Sequence, residues 1–124
     1  MITGTGHAVP DKILDNKYFE SIVDTSDEWI TARTGIKERR VVEPGTGLSA
    51  LAVPAALEAM QKAGVGPLDL DVILISTVSG DYQFPSAAIY VQAELGATNA
   101  AAFDVGATCA GYLFGLHMAK TLAL

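Results

Sequence analysis

The one cysteine of the chain, Cys109, stands in Phe103-Asp104-Val105-Gly106-Ala107-Thr108-Cys109-Ala110-Gly111-Tyr112. This stretch reads as a buried strand, a turn of small residues and the opening of an apolar helix. A thiol so placed can act as a nucleophile. Free backbone N–H groups and the positive end of the helix dipole stabilise a thiolate. The turn holds the sulfur clear of the sheet, and the cysteine's own N–H can donate to an oxyanion. Gly106, Ala107, Ala110 and Gly111 leave room for a substrate beside the sulfur. The same local features fit a plainer reading, a small buried hydrophobe, which a lone cysteine among alanines commonly is.

The elements that must hold this sulfur follow from the hydrophobic pattern. Asp71 to Val78 (DVILISTV) is a near-continuous apolar run, as a central parallel strand covered on both faces should be. Residues 101–105 (AAFDV) make a second buried strand, and Cys109 to Leu124 is apolar enough for an internal helix. Ser86 to Leu95 predicts a helix capped by Ser86 and stopped by Gly96. Ser49 to Ala63, followed by Gly64, predicts another, which Pro54 requires to start late or bend. Upstream, residues 2–6 (ITGTG) read as a short strand ending in a turn, and Asn16 to Val23 as a short amphipathic helix. In Thr25-Ser26-Asp27-Glu28 a hydroxyl with Glu three residues on makes a capping-box start. The helix it opens, Asp27 to Thr34, ends at Gly35, and residues 36–42 (IKERRVV) are extended. Glu43 to Gly47 is a turn by composition. Strands alternating with helices predict an α/β fold, layered α/β/α, with a mostly parallel sheet.

At 124 residues there is room for one domain. Half of the residues are apolar and 18% charged, a globular composition and not a disordered one. The formal charge of −6 comes from scattered acids and argues against general nucleic-acid binding. A single cysteine excludes an intrachain disulfide and fits a reducing compartment. The opening MITGTGHAVP has no basic region followed by a long apolar one, so no secretory signal is read. Apolar runs stop well short of the ~20 residues of a membrane span. The expectation is a soluble, cytoplasmic protein.

Four ordered segments carry a resemblance that covers essentially the whole chain. FDVGATCAGYLFGL resembles the nucleophile segment of the β-ketoacyl-acyl-carrier-protein synthase III family, within the thiolase-like condensing enzymes. DTSDEWITARTGIKERR (24–40) is similar to that family's N-terminal motif, FPSAA (84–88) to its dimer-interface and acyl-pocket segment, and GTGHAVP (4–10) to its first strand and turn. The resemblance implies an incomplete N-terminal half of a thiolase-like fold over 1–124, with the second half absent.

It also implies chemistry. In that family the cysteine takes an acyl group from acyl-coenzyme A, and the thioester reacts with a carbanion made by decarboxylating malonyl-acyl carrier protein. Cys109 matches the acylated position. Trp29 and Arg33 match the positions that hold the adenine and phosphate-bearing end of coenzyme A. Their spacing of four puts them on one helical face, where an indole can stack on a base and a guanidinium can stack or pair with phosphate. Thr25 matches a polar position at the same mouth. Read without the motif, Trp29 is a core anchor and Arg33 a solvated charge. Phe84 matches a phenylalanine that closes the partner's acyl pocket, which implies a homodimer; alone, it reads equally as an aromatic plug before a helix. Lys37, Arg39 and Arg40 form a basic cluster that could steer an acidic carrier protein, or simply a solvated strand edge. No metal or cofactor is implied, coenzyme A entering as a thioester substrate.

The family also uses a histidine and an asparagine from its downstream half. His117 lies eight residues after Cys109 on the expected helix, about 12 Å along its axis, and His7 matches no catalytic position. Neither is the base. The expectation is therefore a truncated, frameshifted or deliberately cut chain with no turnover of its own, with apolar surface and a strand edge uncovered after Leu124 and a first strand that looks clipped. Gly106 and Thr108 stand where alanine or another small residue is common in the family. Two other readings remain beside fatty-acid initiation: a secondary-metabolism relative using another acyl starter, and a non-catalytic partner of a full-length synthase.

Overall fold

The computed structural model describes residues 1–123, which divide into two units: Met1–Ala8 with the chain from Gly47 onward, and Val9–Thr46.

The larger unit holds α3 (Ser49–Ala63), β3 (Val72–Ser76), α4 (Ala87–Leu95), β4 (Ala101–Val105) and α5 (Gly111–Leu122). β3 and β4 pair in parallel, Val72 opposite Ala101 through Ser76 opposite Val105. Alternation along β3 sorts the layers. Ile73 and Ile75 join Met60, Ala88, Val91 and Leu95 in the core beneath α3 and α4. Leu74 and Ser76 face the other way, where Gly115 and Gly111 of α5 lie against them. The result is the expected α/β/α layering on a two-stranded parallel sheet. α3 and α4 pack closely because alanines line their contact; Ala87 and Ala88 are fully buried and Ala52 and Ala56 lie against the core.

The smaller unit holds β1 (Lys12–Asp15), α1 (Asn16–Glu20), α2 (Asp27–Thr34) and β2 (Glu38–Val41). β1 and β2 pair antiparallel, Lys12 opposite Val41 through Asp15 opposite Glu38. This ribbon is an addition to the expected parallel sheet, because the four residues of β1 show no strand pattern until a distant partner is present.

Several boundaries differ from the sequence reading. Residues 2–6 are not a strand: a methyl group on Gly4 or Gly6 would run into the backbone of Ala59 or Ala55, so this segment lies on α3 instead of in a sheet. α3 does not start late: it begins at Ser49 and carries Pro54 inside it. Pro54 has no N–H to give the carbonyl of Ala50, and both residues are exposed, where water can serve that carbonyl. α1 is shorter than Asn16–Val23; the Ser21 N–H and hydroxyl both turn back to the Tyr18 carbonyl and end it. The helix expected from Cys109 begins at Gly111, after a 3-10 turn over Thr108–Ala110. Its expected end at Leu124 lies outside the described residues.

Candidate active site

The smaller unit positions Thr25, Trp29 and Arg33. The Ser26 hydroxyl accepts the Trp29 N–H at 3.1 Å and starts α2; Gly35, at φ 71°, closes it. The cap is Ser26 and not the Thr25–Glu28 pair expected from the sequence. Thr25 is left with a buried hydroxyl that has no partner. With Asp24, Ser26 and Trp29 it lines a hollow of about 420 Å³. Arg33 lies one turn on, its guanidinium carbon 4.9 Å from the centroid of the Trp29 ring. Trp29 is 55% exposed, and the neighbour against its ring carries positive charge.

Asn16, 2% exposed, holds α2 in place. Its amide donates to the Asp27 carboxylate at 2.7 Å and the Ile36 carbonyl at 2.9 Å, and its oxygen accepts from Arg39. The Asn16 amide, followed by Lys37 at 3.4 Å, keeps the Asp27 carboxyl below its ordinary range against the opposing effect of desolvation. The basic cluster is engaged locally throughout: Lys37 on Asp27, Arg39 on Asn16 and over the Phe19 ring at 4.5 Å, and Arg40 on the Pro10 carbonyl at 3.0 Å.

The larger unit positions Cys109 and Phe84. Parallel pairing brings the carboxyl ends of β3 and β4 side by side, with Thr77 N–H donating to the Val105 carbonyl at 3.2 Å beyond the ladder. Crevices at that end of a parallel sheet are where α/β folds take ligands. The chain leaves β4 through Gly106 and Ala107 and enters the 3-10 turn at Thr108, whose φ of 43° is the one left-handed value at a non-glycine among the described residues. A β-branched residue rarely adopts it. The next residue is Cys109, and it is exposed. The thiol is therefore not sealed among the alanines that flank it.

Phe84 is 89% exposed in the irregular segment between β3 and α4, joined to Pro85 by a cis peptide bond. Tyr82 in the same segment stacks at 5.2 Å on Tyr90 of α4. Tyr112, Leu113 and Phe114 on α5 are also exposed. Neither histidine approaches a catalytic arrangement: His7 is bound to Glu58 through its N–H at 2.9 Å and its ring at 3.3 Å, and His117 lies well along α5.

Sequence reasoning missed four residues that shape these sites: Asn16, Asp81, Asp104 and Thr108. Only Asp104 left a signal. A carboxylate inside the apolar strand AAFDV needs donors nearby, since burying it bare is costly. It finds the backbone N–H groups of Ala87 and Ala88, each at 2.8 Å.

No protein-family model matches the chain. The β-ketoacyl-[acyl-carrier-protein] synthase III of Caldanaerobacter subterraneus subsp. tengcongensis is 53% identical over 119 residues, covering 96% of this chain and 36% of the relative. The crystal structure of 3-oxoacyl-[acyl-carrier-protein] synthase III from Aquifex aeolicus superposes with a TM-score of 0.94 at 44% identity, covering 98% of this chain and 39% of that one. The priming β-ketosynthase of the R1128 polyketide biosynthetic pathway superposes with a TM-score of 0.90 at 36% identity, over 95% of this chain and 35% of that one. The chain thus spans little more than a third of the proteins it matches, and its fold is a partial thiolase-like α/β fold.

Proposed function

With the chain placed by its N-terminal match in the β-ketoacyl-[acyl-carrier-protein] synthase III family, we propose that Cys109 is the acyl-accepting nucleophile of a decarboxylating condensing enzyme. The observation that carries this is the exposed thiol in a turn at the carboxyl end of a parallel strand, ahead of α5. Cys109 sulfur attacks the thioester carbonyl of acyl-coenzyme A, the coenzyme A thiolate leaves, and a new thioester remains on the enzyme. N–H groups at the start of the turn have no intrahelical partner and are available to the developing oxyanion. Trp29 stacks on the adenine, Arg33 pairs with phosphate, and the orphaned Thr25 hydroxyl finds its partner in the same ligand.

The second half-reaction, attack by the carbanion of decarboxylated malonyl-acyl carrier protein, gives 3-oxoacyl-acyl carrier protein and belongs to the whole protein. So do homodimer formation through Phe84, a cytoplasmic place in fatty-acid initiation, and the acidic carrier as partner. Among the described residues no helix is long and apolar enough to cross a membrane.

The test joins this chain to the remaining portion of the Caldanaerobacter relative and follows decarboxylative condensation. The hybrid should condense, and its Cys109→Ala form should bind acyl-coenzyme A without condensing. Condensation unaffected by Cys109→Ala would overturn the proposal. The likeness to the R1128 priming enzyme supports a second reading, a starter enzyme of secondary metabolism. A hybrid that refuses acetyl and branched short-chain donors while accepting others would favour it.

A further inference from the structure

Asp27 stands midway between two residues that line the hollow of the smaller unit: Thr25 is two positions before it and Trp29 two after. Its place is set from both ends of α1. At the last residue of α1, the Glu20 carboxylate accepts the Asp27 N–H at 2.6 Å. At the first, the Asn16 amide donates to the Asp27 carboxylate at 2.7 Å. The same amide reaches the Ile36 carbonyl at 2.9 Å, so one side chain is bonded to the chain where it enters α2 and where it leaves.

Among the described residues Asn16 is the one buried polar side chain. Its amide gives both hydrogens and its oxygen accepts from Arg39, so every bond it can readily make is made. A buried polar network satisfied in this way holds one arrangement and resists others. The hollow beside it is the opposite case. The Thr25 hydroxyl is buried without a partner, which costs free energy until a ligand supplies one. Trp29, with the Arg33 guanidinium against its ring, lines the same hollow. A ligand that serves both must span a separation that the backbone on either side of Asp27 sets.

We infer that Asn16 is a positioning residue for coenzyme A: through Asp27 it holds the Thr25 hydroxyl and the Trp29–Arg33 pair at the separation that lets one ligand engage both. This rests on the acyl-transfer reading above, which makes coenzyme A the ligand. Asn16→Ala removes all three bonds. Asn16→Asp keeps the size and the bond from Arg39 but sets a carboxylate against that of Asp27. Adding Asp27→Asn to Asn16→Asp turns the pair round, with the amide at position 27 donating to the carboxylate at position 16. Val41→Ala, on β2 opposite Lys12, is the control, because it removes apolar surface from the same unit and none of these bonds.

The experiment titrates this chain and its variants with coenzyme A, reading Trp29 fluorescence and the resonance of its indole N–H. Urea midpoints give the stability lost in each. Asn16→Ala and Asn16→Asp should weaken binding about tenfold, or ~1.4 kcal/mol, and move or broaden the indole resonance before ligand is added. The reversed pair should regain most of the affinity, and Val41→Ala should bind within about twofold of the parent. Unchanged affinity in Asn16→Ala would overturn the inference. So would an equal loss in Val41→Ala, or a reversed pair that binds no better than Asn16→Asp, since Asn16 would then be a structural tie alone. If the parent does not bind coenzyme A, the reading of the ligand fails on its own, while the indole resonance still decides whether Asn16 positions Trp29.

Discussion

Gly111 lies so close to Ser76 that a methyl group added to it would stand 2.6 Å from the Ser76 hydroxyl oxygen. This contact seats the first turn of α5 on β3, directly after Cys109. Gly111→Ala should cost about 1–3 kcal/mol through overpacking, more than the alanine regains in helix propensity at a helix start. Ser76→Ala in the same chain removes the offending oxygen and leaves the serine β-carbon 3.5 Å away, so the double variant should recover most of the loss. One turn on, Gly115→Ala meets Leu74 at 3.4 Å, an ordinary contact, and should be neutral or stabilising by up to about 1 kcal/mol. Urea midpoints of the parent and the three variants check the ordering.

Asn16→Ala leaves the Ile36 carbonyl and the Arg39 guanidinium without their buried partner. A loss of about 1–2 kcal/mol is expected, the cost of polar groups left without their partner at a part-buried site. Amide exchange should show the loss concentrated within Val9–Thr46.

Glu58 gives a pH dependence with a definite sign. The Lys62 ammonium at 2.6 Å, and then the His7 backbone N–H, lower its carboxyl from the ordinary 4.5 to about 2. A depressed carboxylate contributes stability that is complete above its unfolded value and is lost as pH falls through the folded one. The attachment of residues 1–8 to α3 should therefore loosen between about pH 4.5 and about 2. Exchange of the His7 amide followed against pH checks this, and Glu58→Gln should flatten the profile.

The sequence showed most of the larger unit. β4 at 101–105 and α3 at Ser49–Ala63 stand where the apolar runs and the glycine stops put them, because strand burial and left-handed C-caps are local signals. β1 was invisible: Lys12–Asp15 pairs only through partners some 25 residues away, and its own residues carry no alternation. The same limit explains Asp81 and Asp104, whose partners lie 32 and 16 residues off. Ser86 occupies the cap position of α4 that the sequence gives it, but its side chain makes no capping bond. In the candidate site, the i, i+4 spacing placed Trp29 and Arg33 on one helical face, where the structure has the guanidinium against the ring. Nothing local foretold the left-handed Thr108, since a threonine advertises the opposite preference.

The Trp29–Arg33 pair should bind coenzyme A. Trp29 is the chain's one tryptophan, so adenine stacking reads directly as quenching of its fluorescence. Arg33→Ala should weaken binding about tenfold, or ~1.4 kcal/mol, and Trp29→Ala by a similar factor in calorimetry. Arg33→Lys keeps the charge but loses the stacked plane, and should fall between. Raising salt should weaken the parent more than Arg33→Ala.

The central claim meets its most direct check in the intact mass of this chain after incubation with acetyl-coenzyme A. The account predicts one acetyl group per chain, carried on Cys109, removed by hydroxylamine and missing from Cys109→Ser. A chain that stays unmodified while iodoacetamide alkylates Cys109 readily would contradict it, because the thiol would then be open and reactive yet unable to take an acyl group.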